Sequence, residues 1–166
     1  MLPAYLPNPV AALSGGGTPV DFGRNYADGR RIFGDGKTWR GLIVGILAGV
    51  GIGILQIWAA GAYGLAFLPV LTLPAVILLA TGALLGDLVK SFFKRRCGKE
   101  RGAKWPIADQ YDLVAGAFLL LLIFDSAWLF AEVTLAIFII ILILTPILHR
   151  GVNIIGFMIK VKEVPW

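Results

Sequence analysis

The sequence predicts an all-α integral membrane protein: a bundle of about five transmembrane helices, the first one short, with two long cytoplasmic loops. Three observations carry this expectation. Hydrophobic residues make up 58% of the 166 positions and the mean hydropathy is +0.82, more apolar matter than a single soluble core of this size encloses. Stretches at 41–60, 65–85, 113–124 and 133–148 carry no charge, and the longer ones reach the roughly 20 residues that a helix needs to cross about 30 Å of hydrocarbon. All fifteen Lys and Arg residues fall into three groups. Arg24, Arg30, Arg31, Lys37 and Arg40 precede the first long span. Lys90, Lys94, Arg95, Arg96, Lys99, Arg101 and Lys104 lie between two spans, and Arg150, Lys160 and Lys162 close the chain.

These marks place one membrane-embedded domain over residues 1–166, with spans at about 2–14, 41–60, 65–93, 110–130 and 132–150 and cytoplasmic loops at 15–40 and 94–109. The first span is half the usual length and carries Pro3, Pro7 and Pro9, so it is expected to be short or only partly inserted. The turn at 60–64 is uncharged and the turn around Asp125, Ser126, Ala127 and Trp128 holds only acid. The positive-inside rule therefore puts both turns outside and the three basic groups in the cytoplasm of a cell-membrane protein, with the N-terminus outside and the C-terminus cytoplasmic. Trp128 is expected as an interface anchor, flanked by Asp125 and Glu132. No removable signal peptide is expected, because a charged loop precedes the first long span. Cys97, the single cysteine, excludes an internal disulfide. No internal repeat appears, which disfavours a transporter made of matching halves, and no nucleic-acid partner is expected.

Chemistry concentrates in the two long loops and the helix ends beside them. The first reads GGGTPVDFGR from Gly15 and DGRRIFGDGKTWRG from Asp28. Glycine-rich turns ending in Lys37 and Thr38 at the mouth of a helix suit phosphate, through backbone N–H groups, the helix dipole and a lysine charge. A P-loop is excluded: its first glycine would fall at position 31, which is Arg31. Asp87, Lys90, Ser91 and Lys94 recur at i, i+3, i+4 and i+7, on one helical stripe running toward the basic end. An intramembrane aspartate is costly unless it faces the bundle interior and meets a cation, so Asp87 is a functional candidate, with a structural pair to Lys90 as the alternative. After the basic loop, Pro106 suits a helix start, and Asp109 and Asp112 follow three residues apart on one face. Helix capping explains one of these acids; a shared cation explains both together with Asp87. Three carboxylates without a histidine or cysteine cluster point to hard oxygen ligation, hence Mg²⁺, with Mn²⁺ as a substitute, at a metal site formed by Asp87, Asp109 and Asp112. Mg²⁺ with many nearby cations fits phosphoryl or nucleotidyl transfer, which needs mainly positioning and charge neutralisation. His149, the only histidine, is read as helix-end packing or a head-group contact.

Several stretches then resemble a known family, the CDP-archaeol synthases, archaeal relatives of bacterial phosphatidate cytidylyltransferases. They are LPAY at the start, the loop GGGTPVDFGRNYADGRRIFGDGKTWRG, GDLVKSFFKRR, KWPIADQYD and the closing KEVPW. The bacterial signature, SxxKR followed by a proline and DRxD, maps onto Ser91, Lys94, Arg95, Pro106, Asp109 and Asp112. Gln110 stands where that pattern has arginine, and its glycine-histidine-glycine part is missing, which fits the archaeal branch. The resemblance implies transfer of CMP from CTP to the phosphate of 2,3-bis-O-(geranylgeranyl)-sn-glycerol 1-phosphate, an isoprenoid ether lipid, giving CDP-archaeol and pyrophosphate. On that basis Asp87, Lys90, Lys94, Asp109 and Asp112 would be catalytic. Ser91, Arg95 and Lys104 would hold phosphates, and the first loop would cover the nucleotide through Gly16, Gly17, Asp28, Arg31, Gly36, Lys37 and Thr38. A CDP-alcohol phosphotransferase is disfavoured, since Ile32 and Phe33 follow Asp28-Gly29 where its pattern has Ala-Arg. A cation transporter would not need the phosphate-friendly loop, and a non-catalytic scaffold would tolerate Asp109→Asn with little functional change.

Overall fold

The computed structural model describes residues 1–65, 68–100 and 102–160. Among the described residues seven helices follow in chain order: α1 Leu2–Tyr5, α2 Pro7–Leu13, α3 Trp39–Tyr63, α4 Leu73–Arg96, α5 Pro106–Phe124, α6 Ser126–Glu132 and α7 Leu135–Met158. No strand forms among the described residues. Two isolated antiparallel bridges, Pro19 with Thr38 and Asn25 with Arg31, tie the first loop to itself. Four helices, α3, α4, α5 and α7, are long and apolar enough to cross a membrane, so the chain is a multi-pass membrane protein.

These four helices are the full spans expected, and the first element, expected to be short, is short. The N-terminal span is a pair of short helices, nearly continuous through Leu6, whose N–H bonds Leu2 O at 3.0 Å. Residues 2–13 of helix reach about 18 Å, little more than half the hydrocarbon thickness. The span expected to begin at 65 begins at Leu73. Thr72 caps it by accepting from Ala75 N at 3.3 Å, and Pro74 occupies the first turn. The fourth span starts at Pro106 rather than 110 and ends at Phe124, because Asp125 caps a new short helix by accepting from Trp128 N. Trp128, expected to anchor at the interface, donates from Nε1 to Val70 O at 2.7 Å, while Glu132 accepts from Val70 N at 2.7 Å. Together they clamp the α3–α4 connection to α6.

Helix α4 is central and α7 peripheral: α4 buries residues along its whole length, whereas α7 buries only Ile141, Thr145 and Asn153. Pro146 lies inside α7 and removes the N–H that would have bonded Leu142 O. The Tyr111 hydroxyl donates to that carbonyl at 2.9 Å, tying α5 to α7. Thr145 donates to Ile141 O at 2.5 Å and so accepts from the Tyr5 hydroxyl at 2.8 Å, which ties α7 to α1.

Glycines set the closest helix approaches. Along α3, Gly41, Gly45, Gly49 and Gly53 form one buried stripe. Cβ atoms there would meet Ala11 O at 2.8 Å, Pro7 O at 2.8 Å and Pro3 O at 2.6 Å at the first three positions, and the Val76 side chain at the fourth. Between α4 and α5 a Cβ on Gly86 would run into the Asp112 carbonyl, and one on Gly116 into the Gly82 carbonyl. Small residues that let backbones touch are the main packing device available where water cannot drive association. We expect Gly116→Ala to destabilise the purified protein by about 1–3 kcal/mol, seen as a lowered thermal midpoint in detergent. Gly51→Ala, where a Cβ meets nothing within 4 Å, should leave that midpoint unchanged or raise it.

Candidate active site

At the basic end of α4 and α5, three carboxylates converge on one ammonium. Lys90 Nζ lies 2.6 Å from Asp112 Oδ2, 3.1 Å from Asp87 Oδ1 and 3.4 Å from Asp109 Oδ1. Helical spacing explains the arrangement: Asp87 and Lys90 share a face of α4, and Asp109 and Asp112 share the facing side of α5. Asp109 reaches back to accept from the N–H of Trp105, the N-cap of α5, at 2.8 Å, satisfying one donor the helix leaves free. Lys94 completes its pairing at 2.8 Å, and Lys37, from the first loop, pairs with Asp87. Three acids thus face three lysines, and the cluster is close to neutral. Acids this enclosed are tolerable beside hydrocarbon only in such company.

The donor chemistry, carboxylate oxygen only, suits a hard divalent cation. Among the described residues no three acidic, histidine or cysteine side chains are grouped closely enough to enclose a metal on their own. The point on which Asp87, Asp109 and Asp112 converge is held by the Lys90 ammonium. A cation there would take carboxylates now paired to lysine and would draw its remaining ligands from water or phosphate.

The first loop is organised by a residue that the sequence did not single out. Asp21, buried at 4% exposure, accepts from Gly23 N at 3.1 Å, Phe33 N at 3.0 Å, Gly34 N at 3.0 Å and Arg31 Nη2 at 2.6 Å. Burial alone would raise its pKa; the Arg31 guanidinium and the three backbone N–H groups outweigh burial and hold it well below the usual carboxylate range. Arg31, expected at the nucleotide, is engaged with Asp21 and Asp35. Asp28 pairs with Arg96 at 2.6 Å, and Arg96 also donates to Arg31 O at 2.6 Å and covers the Tyr26 ring at 4.8 Å. These contacts fasten the loop over the end of α4. Thr38 caps α3 by accepting from Gly41 N at 3.2 Å, and the Ser91 hydroxyl donates to Asp87 O at 2.8 Å, so both side chains serve their own helices. Gly16 and Gly17 adopt positive φ of 98° and 78°, and Gly16 lies beside Arg40, whose guanidinium donates to Ser14 O at 2.8 Å and to Gly15 O. Arg95 is half-buried, with its backbone carbonyl accepting from Arg30 at 3.3 Å. Lys104 is exposed. Arg101, from the basic group, and the KEVPW segment that carries part of the family likeness lie outside the described residues.

Two cavities flank the Lys37–Asp87 pair. One of about 80 Å³ lies on the loop side, lined by Gly36, Thr38, Gly41 and Leu42. The other, of about 200 Å³, lies toward α7 and meets Lys90, Asp112, His149 and Asn153. Asn8, Ala12, Lys37 and Asp87 line both. His149, expected as a helix-end residue, therefore faces the charged cluster. With Thr145 and Asn153 it forms an i, i+4, i+8 stripe in an apolar helix, a periodic signal that the sequence carried openly. Asn8 carried no such signal, being a lone polar residue in a proline-rich segment.

Comparison with known proteins agrees over the full chain. A family model described as CarS-like, CDP-archaeol synthase, matches residues 1–166. A protein of Methanoregula boonei named CDP-archaeol synthase is 68% identical over all of both chains. One of the same name from Methanoculleus marisnigri is 63% identical, again over all of both. A solved structure described as an intramembrane enzyme for archaeal membrane lipids biosynthesis superposes with a TM-score of 0.63 at 37% identity, covering 86% of this chain and 87% of that one.

The depressed Asp21 carboxyl sets a pH test. A group whose folded pKa lies below its unfolded value, about 3.9, contributes stability fully present above that value and lost as pH falls through the folded one. Protection of the Phe33 and Gly34 amides against hydrogen exchange should hold from neutral pH to about pH 4 and fade below it. In Asp21→Asn it should already be weak at neutral pH.

Proposed function

The chain belongs to the CDP-archaeol synthase family, and from that premise we propose how its residues carry out the transfer. It is a membrane cytidylyltransferase of archaeal lipid synthesis. In our reading an oxygen of the phosphate monoester of 2,3-bis-O-(geranylgeranyl)-sn-glycerol 1-phosphate attacks the α-phosphorus of CTP. A new P–O bond forms, the bond to the β-phosphate breaks, and pyrophosphate leaves. A phosphate monoester is largely dianionic near neutral pH, so no general base is needed and the protein's task is alignment and charge shielding.

The observation that carries this reading is the convergence of Asp87, Asp109 and Asp112 on Lys90, with Lys37 arriving from the glycine-rich loop. Asp87, Asp109 and Asp112 would hold Mg²⁺, or Mn²⁺ in its place. When bound, the ion neutralises phosphate charge during transfer. With the acids so engaged, Lys37, Lys90 and Lys94 turn their charge to phosphate oxygens, and Gly36 lets the loop backbone come close to them. Asp21, Asp28, Arg31 and Arg96 hold the loop where Lys37 can reach. The basic end faces the cytoplasm, by the positive-inside rule, where CTP is supplied.

Purified protein with Mg²⁺, CTP and the geranylgeranyl ether lipid phosphate should release pyrophosphate, and EDTA should abolish the release. Asp87→Asn, Asp109→Asn and Asp112→Asn should each lower it by about 100-fold or more. Full activity in all three variants would sink the metal assignment, and no release from folded wild type with CTP would sink the assigned reaction.

A further inference from the structure

The polar face of α7 belongs to the site, and we propose that it is the acceptor wall: His149 and Asn153 contact the phosphate monoester head of the lipid acceptor. This assignment rests on the transfer reaction proposed above and adds to it which residues meet the acceptor.

Two observations support it. In α7 the polar positions Thr145, His149 and Asn153 share one face of an otherwise apolar helix, while Arg150 lies off that face and is exposed. Polar side chains in a membrane span are costly and mark functional faces. His149 and Asn153 lie one and two turns beyond Thr145 toward the basic end and line the larger cavity, Asn153 at only 3% exposure.

The shape of that cavity matches a tailed phosphate. Its charged side is Lys37, Asp87, Lys90 and Asp112, and its remaining rim, between α2 and α7, is apolar at Pro9, Ala12, Leu148 and Val152. An isoprenoid chain can follow such a rim into lipid, and the lysines beside it meet the phosphate head.

The test uses the full chain in detergent with His149→Ala, His149→Gln and Asn153→Ala. In pyrophosphate release, KM for the lipid phosphate should rise tenfold or more in the two alanine variants, while KM for CTP stays within twofold. His149→Gln, which keeps a hydrogen-bonding group, should recover part of the loss. Without nucleotide, the lipid phosphate should raise the thermal midpoint of wild type but not of the alanine variants, whereas sn-glycerol 1-phosphate and inorganic phosphate should not raise it. An equal rise in KM for CTP, or wild-type acceptor binding in His149→Ala, overturns the assignment. A shift by inorganic phosphate that depends on His149 overturns the lipid head as the occupant. The nucleotide-free measurement does not need turnover, so the acceptor wall and the assigned reaction fail separately. His149 is only half-buried, and its variants carry the test if Asn153→Ala does not fold.

Discussion

Direct backbone contact between α4 and α5 is the constraint from which the site follows. Gly82, Gly86 and Gly116 leave no room for a Cβ between the two helices, and what Gly86 meets is the carbonyl of Asp112 itself. Asp87 is the next residue after Gly86. The separation of two of the three acids is therefore fixed by one glycine-to-carbonyl contact rather than by flexible side chains. Lys90 stands one turn further along α4 and falls between them, and Asp109 stands one turn earlier on α5 and closes the group. A wider helix separation would take Lys90 and Lys94 of α4 away from Asp109 and Asp112 of α5, and removing a partner from a buried pair costs about 3–5 kcal/mol.

The cluster's near neutrality has a consequence for binding. Lys37, Lys90 and Lys94 are all committed to carboxylates, so a polyphosphate arriving alone would have to break ion pairs to gain others. On the proposed reading Asp87, Asp109 and Asp112 would hold a divalent cation, which would leave the ammonium groups of Lys37, Lys90 and Lys94 to the phosphate oxygens. Asp21 makes this economical: it rigidifies the loop through four hydrogen bonds that do not involve the cluster, so Lys37 can change partner without the loop unfolding.

What the sequence disclosed and what it concealed divide along physical lines. The stripe from Asp87 to Lys94 and the pair Asp109 and Asp112 were legible because helical periodicity is rigid and charge is conspicuous in an apolar background. The face formed by Thr145, His149 and Asn153 was equally periodic, but Arg150 beside His149 made the helix end read as ordinary basic punctuation. Asp21 was illegible, since an irregular loop has no period and its partners at 31, 33 and 34 follow from turn geometry alone. Arg31 was misleading for the same reason: an arginine near glycines reads as a phosphate contact, and only the fold reveals the carboxylate it serves. At the N-terminus apolar composition announced membrane, while three prolines and the short length announced only half a crossing.

That half crossing is held by a match of two ridges. Pro3, Pro7 and Ala11 present carbonyls every fourth residue, and Gly49, Gly45 and Gly41 offer bare Cα atoms at the same interval in the opposite direction. Proline at 7 and 9 removes N–H groups from the segment, yet the close approach of carbonyl to glycine Cα provides weak C–H···O contacts along its length. A segment too short to be stable by burial alone is thus fixed in register, and with it Asn8, which borders both cavities. Any side chain at Gly45 would push Pro7 outward and carry its neighbour Asn8 away from Asp87. The glycine stripe of α3 therefore sets where Asn8 stands at the site.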